Sequence, residues 1–399
     1  MAKIKKIVLA YSGGLDTSVI LPWLKDKYGC KVVAFAADLG QGPGELRGIE
    51  KKALASGADE CIVSDLRKEF AEQYCFKMLQ AGAVYEHVYL LGTSIARPLI
   101  AKAQVDCALA TKADAVAHGC TGKGNDQVRF ELTYMAIAPK LKIVSPWKDP
   151  SFELTSREAA IAYAKKRGIP IQQSTRKIYS RDRNLWHISH EGADLEDPDN
   201  EPTDGLWVMS VPVSKAPAKP AYVTIDFKSG KPVAVNGKKM PGHELVAKLN
   251  FLGGKHAVGQ TDLVENRLVG IKSRGAYETP GGTILYRAHR ALEAITLDRD
   301  TIHYKQQIAL KYAEMVYNGQ WFCPLREALD AFVASTQTNV TGKVRVKLFK
   351  GRATVAGATS PKSLYSTSLA SFTMGQEYTP SDATGFIRLL GLQMRGRGK

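Results

Sequence analysis

The chain has 399 residues, 44% of them apolar and 24% charged, with a formal net charge of +16. That is room for two or three domains with substantial cores, in a composition typical of a soluble globular protein. No apolar stretch reaches the ~20 residues of a membrane span, no signal-like segment precedes the first strand, and the six scattered cysteines lack zinc-ligand spacing, so a cytoplasmic protein with reduced thiols is expected.

Residues 7–11 read as a strand and residues 15–28 as a helix. The segment from Ala10 to Ser18 is therefore strand, tight glycine turn and helix N-terminus, where α/β proteins hold phosphate. Gly13 and Gly14 let backbone N–H groups approach a ligand closely. Ser12, Thr17 and Ser18 add hydroxyls. Asp16, in the first helical turn, is placed to help hold Mg²⁺ at a phosphate. Neither G-x-x-x-x-G-K-[ST] nor G-x-G-x-x-G occurs, and no lysine lies inside the loop, which disfavours a P-loop ATPase and a Rossmann dehydrogenase.

Further strands are expected over 31–37, 60–64, 115–118 and 142–145, with helices to Ala53 and over 66–81, 96–113 and 125–138. Thr155 and Glu158 have capping-box spacing for a helix that ends at Gly168. This alternation predicts an α/β fold with a mostly parallel, doubly wound sheet. Ligands then gather at the carboxyl ends of its strands, in loops 11–18, 38–45 and 118–126. The last of these holds three glycines with Thr121, Lys123, Asn125 and Asp126, and Arg129 follows one turn on, able to grip a carboxylate bidentately. A plain glycine loop capped by Asn125 is the simpler alternative.

Beyond about residue 170 the texture changes to an α+β pattern. Strand-like runs cover 206–213, 222–227 and 267–271. A long helix is expected over 283–317 and another over 324–335, then a hairpin over 342–357 that turns at Lys350 and Gly351. The acidic stretch 194–204 reads as a solvated loop. A helical segment over 383–392 carries Phe386, Ile387, Leu389, Leu390 and Leu392, apolar enough to pack on another subunit. The expected division is 1–170, a nucleotide-binding domain; 171–360, an α+β domain; and 361–399, an oligomerisation tail. The basic residues form no long block, so the net charge reads as a solvated basic surface, with nucleic-acid binding as the alternative.

The S-G-G-L-D-T-S string of residues 12–18 resembles the signature of the PP-loop, or N-type ATP pyrophosphatase, superfamily. Tyr89, the G-T-S-I-A-R-P run of 92–98, segments 118–131, 179–189 and 264–283, and the S-P-K-S-L-Y run of 360–365 extend the likeness. Together they are similar to the argininosuccinate synthase family over nearly the whole chain. The resemblance implies an adenine nucleotide alpha hydrolase-like first domain. It implies a homotetramer that joins citrulline to aspartate using ATP with Mg²⁺, through a citrullyl-adenylate, with no tightly bound cofactor. It implies that Ala10, Tyr11, Ser12, Gly13, Gly14, Leu15, Asp16, Thr17, Ser18, Ala37 and Gly119 hold ATP. Citrulline then falls to Tyr89, Ser94, Asn125, Arg129, Ser180, Ser189, Glu265 and Tyr277, and aspartate to Thr121, Asn125 and Asp126. Arg181, Arg183, His190 and the pair Gln260 and Thr261 depart from the family pattern, and none is a matched ligand position. A PP-loop enzyme acting on RNA and a non-catalytic nucleotide sensor are the alternatives. The scattered cysteines count against an RNA thiolase, and the intact Asp16, Thr17 and Ser18 against a sensor.

Overall fold

The computed structural model describes residues 3–122, 124–170, 179–371 and 378–398. Lys123 of the glycine loop and the start of the expected second domain lie outside the described residues.

The first strand, β1 (Lys6–Ala10), sends its apolar side chains to both faces. Ile7 and Leu9 pack with Ile20, Leu21 and Leu24 of the helix Leu15–Tyr28. Val8 packs with Val105 and Tyr134 from the helices Gly92–Ala110 and Asp126–Ile137. A strand buried on both faces belongs in the middle of a parallel sheet, each such side chain contributing roughly 2 kcal/mol. It is joined by β2 (Lys31–Asp38), β3 (Glu60–Asp65), β4 (Ala115–Ala117) and β5 (Lys142–Val144), all parallel, in the order β3-β2-β1-β4-β5. Strand order reverses between β1 and β4, so the loops after these two strands open side by side at the carboxyl edge. The helix after β5 starts one residue later than its spacing suggests: Ser156, not Thr155, is the cap, its Oγ accepting the Ala159 N–H at 3.1 Å.

The rest of the chain contributes β6 (Ser180–Arg183), β7 (Ile188–Glu191), β8 (Ala221–Lys228), β9 (Lys231–Val235), β10 (Lys238–Lys239), β11 (Gln260–Asn266), β12 (Lys272–Glu278), β13 (Gly342–Phe349) and β14 (Arg352–Thr359). They form two antiparallel sheets, β10-β9-β8-β13-β14 and β11-β12-β7-β6. Phe70, Met78, Leu79 and Leu99 join Val223, Leu245, Leu292 and Tyr312 in one core, which ties the segment before β4 to this half.

Three further expectations need correction. Residues 206–213 form no strand, because the N–H groups of Val208, Met209 and Ser210 donate to the buried Glu278 carboxylate rather than to a ladder. Residues 267–271 are the turn between β11 and β12, not a strand. The helix over 283–317 is two, Pro280–Thr296 and Arg299–Tyr317, because Asp298 caps the second, accepting the Thr301 N–H at 3.0 Å. The 342–357 hairpin forms as β13 and β14. Among the described residues no helix is long and apolar enough to cross a membrane.

Candidate functional site

Ala10 closes β1, Tyr11 to Gly14 make the turn, and Leu15 opens the helix, with Gly14 as its N-cap. Gly13 sits at φ +74°, a left-handed conformation that favours glycine. Hydroxyls stack beneath the turn: Ser12 Oγ lies 3.1 Å from Thr17 Oγ1, and the Tyr11 hydroxyl lies 3.1 Å from Ser18 Oγ. Asp16 reaches solvent, while desolvation by the surrounding protein raises its carboxyl above the ordinary range, opposed by Arg157. Ala37 lies near the end of β2, its carbonyl accepting from Gln41 Nε2 at 2.8 Å. Gly119 packs closely on the first turns of this helix. A Cβ there would lie 3.0 Å from Thr17 Cγ2 and 3.2 Å from Ile20 Cδ1. The glycine loop after β4 thus runs from beside the loop of residues 12–18 into a cavity of about 190 Å³.

One wall of that cavity is the loop itself, through Thr121, Asn125, Asp126 and Arg129. The floor is the sheet β11-β12-β7-β6, and each strand supplies one of the residues expected to hold citrulline: Glu265 from β11, Tyr277 from β12, Ser189 from β7 and Ser180 from β6. Ser189 stands opposite both Tyr277 and Asp182, and Ser180 opposite Glu191, so all face the same side by strict alternation. Tyr89 covers the floor with its ring stacked on Tyr277, centroids 4.5 Å apart. Every candidate for citrulline or aspartate lines the cavity except Ser94, which is fully buried beside it.

The polar groups hold one another in fixed orientations. Arg97 donates to Asp126 and to Asp182, both at 2.8 Å, and Arg129 to Asp126 at 2.8 Å and to the Tyr317 carbonyl at 2.9 Å. Burial pushes the Asp126 carboxyl up, but the two guanidiniums outweigh it and hold it well below the ordinary range. Asn125 donates to the Tyr317 hydroxyl at 2.9 Å and accepts the Leu268 N–H at 3.0 Å. Glu265 differs: it is buried, and its Oε2 has no hydrogen-bond partner among the described residues. Burial pushes its carboxyl up to about 7, against the pull of Arg129. A buried carboxylate with a free oxygen is a seat for a cation. Burial also raises the Cys120 thiol far above neutral pH, so this cysteine offers no thiolate nucleophile.

Thr93, Asp182, Glu191 and Arg267 line the cavity as well, and the sequence reading gave them no role. Alternation was the available signal for two of them: two residues beyond Ser180 is Asp182, and two beyond Ser189 is Glu191. Burial raises the Glu191 carboxyl, while Arg267 pairs with it at 2.5 Å and pulls it down. The opposite face of the same sheet carries three of the residues that depart from the family pattern. Arg181 donates to His190 at 2.9 Å, His190 meets Glu278 at 2.9 Å, and Gln260 reaches Ser210, itself a donor to Glu278. They form a linked support beneath the floor, buried at His190 and Glu278, and do not line the cavity.

Residues 6–170 match the arginosuccinate synthase N-terminal HUP domain, and residues 179–396 match the arginosuccinate synthase C-terminal domain. An argininosuccinate synthase from Roseiflexus sp. (strain RS-1) is 58% identical over 99% of this chain and 96% of its own length. One from Carboxydothermus hydrogenoformans is 59% identical over 98% of this chain and 97% of its own. The chloroplastic argininosuccinate synthase of Arabidopsis thaliana is 58% identical over 99% of this chain and 80% of its own.

Proposed function

Because the chain belongs to the argininosuccinate synthase family, we propose that the sheet-floored cavity holds citrulline and aspartate beside an ATP bound at the loop of residues 12–18. The enzyme condenses citrulline with aspartate using ATP, in arginine biosynthesis, and releases AMP and pyrophosphate. The observation that carries the placement is the free oxygen of Glu265 in a cavity otherwise filled with paired charges. It suits the α-ammonium of citrulline, with Arg129 for the carboxylate and Tyr89, Ser94, Ser180, Ser189 and Tyr277 around the chain. Thr121 and Asn125 offer donors to aspartate, and the ionised Asp126 offers its ammonium a partner.

Mg²⁺ enters with the nucleotide, and Asp16, an exposed carboxylate in the first helical turn, is positioned to share it. The loop N–H groups and hydroxyls stabilise charge as pyrophosphate departs. Citrulline's ureido oxygen attacks the α-phosphorus, forming citrullyl-adenylate. The aspartate amine then attacks the activated carbon and expels AMP. Asp126, held ionised by two arginines, is a weak base, so the amine proton passes to a phosphate oxygen. Fixed reactants do the rest, with no covalent intermediate on the protein.

The reading includes a cytoplasmic homotetramer, divided at 1–170, 171–360 and 361–399. The break near residue 170 has support in the boundary between the two family models, and the tail as an interface in the exposed apolar side chains of the helix Asp382–Leu390. Omission assays test the chemistry. With ATP, Mg²⁺, citrulline and aspartate, AMP and argininosuccinate accumulate together. AMP released without either amino acid, or no argininosuccinate with all components, overturns the reading.

A further inference from the structure

The loop of residues 12–18 contains no lysine, yet the fold brings one to it. Lys52, on the helix Ile49–Ala55, donates to the Gly13 carbonyl across 39 residues of sequence. The helix is anchored there by Ile49, whose side chain lies 3.5 Å from where a Gly13 Cβ would stand. Ile49 shares a core with Ile20 and Leu21 of the helix that the loop opens.

The Gly13–Gly14 peptide is trans, so its carbonyl and its N–H point in opposite directions. With the carbonyl turned to Lys52, the Gly14 N–H is turned away from it, toward the hydroxyls, where Ser12 Oγ accepts it at 3.3 Å. That is a long bond, and the N–H remains available to a better acceptor such as a phosphate oxygen. Gly13, at φ +74°, has the backbone freedom to let this peptide turn the other way, so its orientation needs an external constraint.

We propose that Lys52 is a positioning residue of the nucleotide site: by holding the Gly13 carbonyl it aims the Gly14 N–H at the departing pyrophosphate. The proposal rests on the reading of residues 12–18 as the ATP loop. An N–H aimed where charge develops acts like an oxyanion-hole donor, and losing one costs about 100-fold or more in turnover.

The test compares the full-length enzyme with Lys52→Met and Lys52→Arg, using ATP, Mg²⁺, citrulline and aspartate. Misorientation short of removal predicts a kcat lower by about tenfold or more in the Met variant. Inhibition by added pyrophosphate weakens by a similar factor, the KM for citrulline stays within twofold, and Arg restores most of both losses. A Met variant whose kcat per folded molecule and pyrophosphate inhibition match the parent overturns the proposal, even if its melting temperature falls. Should that variant not fold, Lys52→Gln carries the same comparison. Ser12→Ala separates the two levels. If it too leaves pyrophosphate inhibition unchanged, the ATP-loop reading itself has failed. If it weakens inhibition and the Lys52 variants do not, only the role of Lys52 is lost.

Discussion

Asn125 and Tyr317 share a hydrogen bond of 2.9 Å between buried side chains 192 residues apart in sequence. Tyr317 ends the helix Arg299–Tyr317, and its carbonyl also receives Arg129 Nε. The second half of the chain therefore orients two side chains of the first half that line the cavity. Tyr317→Phe removes one bond and leaves the Asn125 amide held only at its Oδ1, by the Leu268 N–H. The expected cost in stability is about 1 kcal/mol, and the KM values for both amino acids rise about tenfold, the equivalent of about 1.4 kcal/mol, with the KM for ATP little changed. Steady-state kinetics on the purified variant checks this split.

The Glu265 carboxyl, pushed up to about 7 by burial, predicts a pH effect on binding. On the proposed placement the ionised form attracts the citrulline ammonium, so kcat/KM for citrulline falls as pH drops below about 7. Glu265→Gln removes that inflection and lowers kcat/KM at pH 8 by about tenfold or more. Stability runs the same group in the opposite sense. Because its folded-state value is raised, its protonated form favours the native protein at acid pH, and that contribution is lost as pH rises through about 7. Thermal melts of the parent and the Gln variant across pH 5–8 read this directly.

Glu278 is fully buried and accepts from the N–H groups of Val208, Met209 and Ser210, at 2.7, 2.9 and 2.6 Å, as well as pairing with His190. Burial pushes its carboxyl up, but these partners outweigh that and hold it below the ordinary range. Its contribution is thus present at neutral pH and lost as pH falls through its lowered value. Glu278→Gln turns an amide NH₂ toward donors and should destabilise the fold by about 3 kcal/mol. Urea denaturation at pH 7 measures it.

Asp16→Asn keeps the helix and removes the charge proposed to share Mg²⁺. Its kcat should fall by about 100-fold, while citrulline binding, measured by calorimetry, changes less than twofold. Near-normal turnover in this variant would remove the role assigned to Asp16.

The helix Asp382–Leu390 exposes Phe386 at 65% and Leu389 at 71%, too much apolar surface on one short helix for an unpartnered tail. If this helix holds the proposed homotetramer together, changing both to Glu lowers the mass seen by light scattering to that of a smaller species. A tetramer in the parent that the variant keeps would place the interface elsewhere.

The parts legible in the sequence were those written contiguously. Residues 7–18 carry strand, turn and helix start in one run, and the apolar strands of the parallel sheet are each short and bounded by glycines or polar residues. The cavity floor was not legible as a sheet, because β12 pairs with β7 some 88 residues earlier, Ala276 against His190 and Tyr277 against Ser189, and no local signal sets such a register. Residues 206–213 have strand-like composition, but Glu278 captures their N–H groups first. The break at Asp298 was hidden by helical periodicity that continues on both sides of it. Lys52 and Tyr317 reach the site only through tertiary packing, and neither lies in a motif.

The central claim is that one cavity delivers the ureido oxygen of citrulline to the α-phosphorus of ATP. Turnover of citrulline labelled with ¹⁸O at the ureido oxygen, followed by mass spectrometry of the AMP, tests it most directly. The account predicts that the label appears in the AMP phosphate, one atom per argininosuccinate formed. AMP free of label, with argininosuccinate still produced, would contradict it.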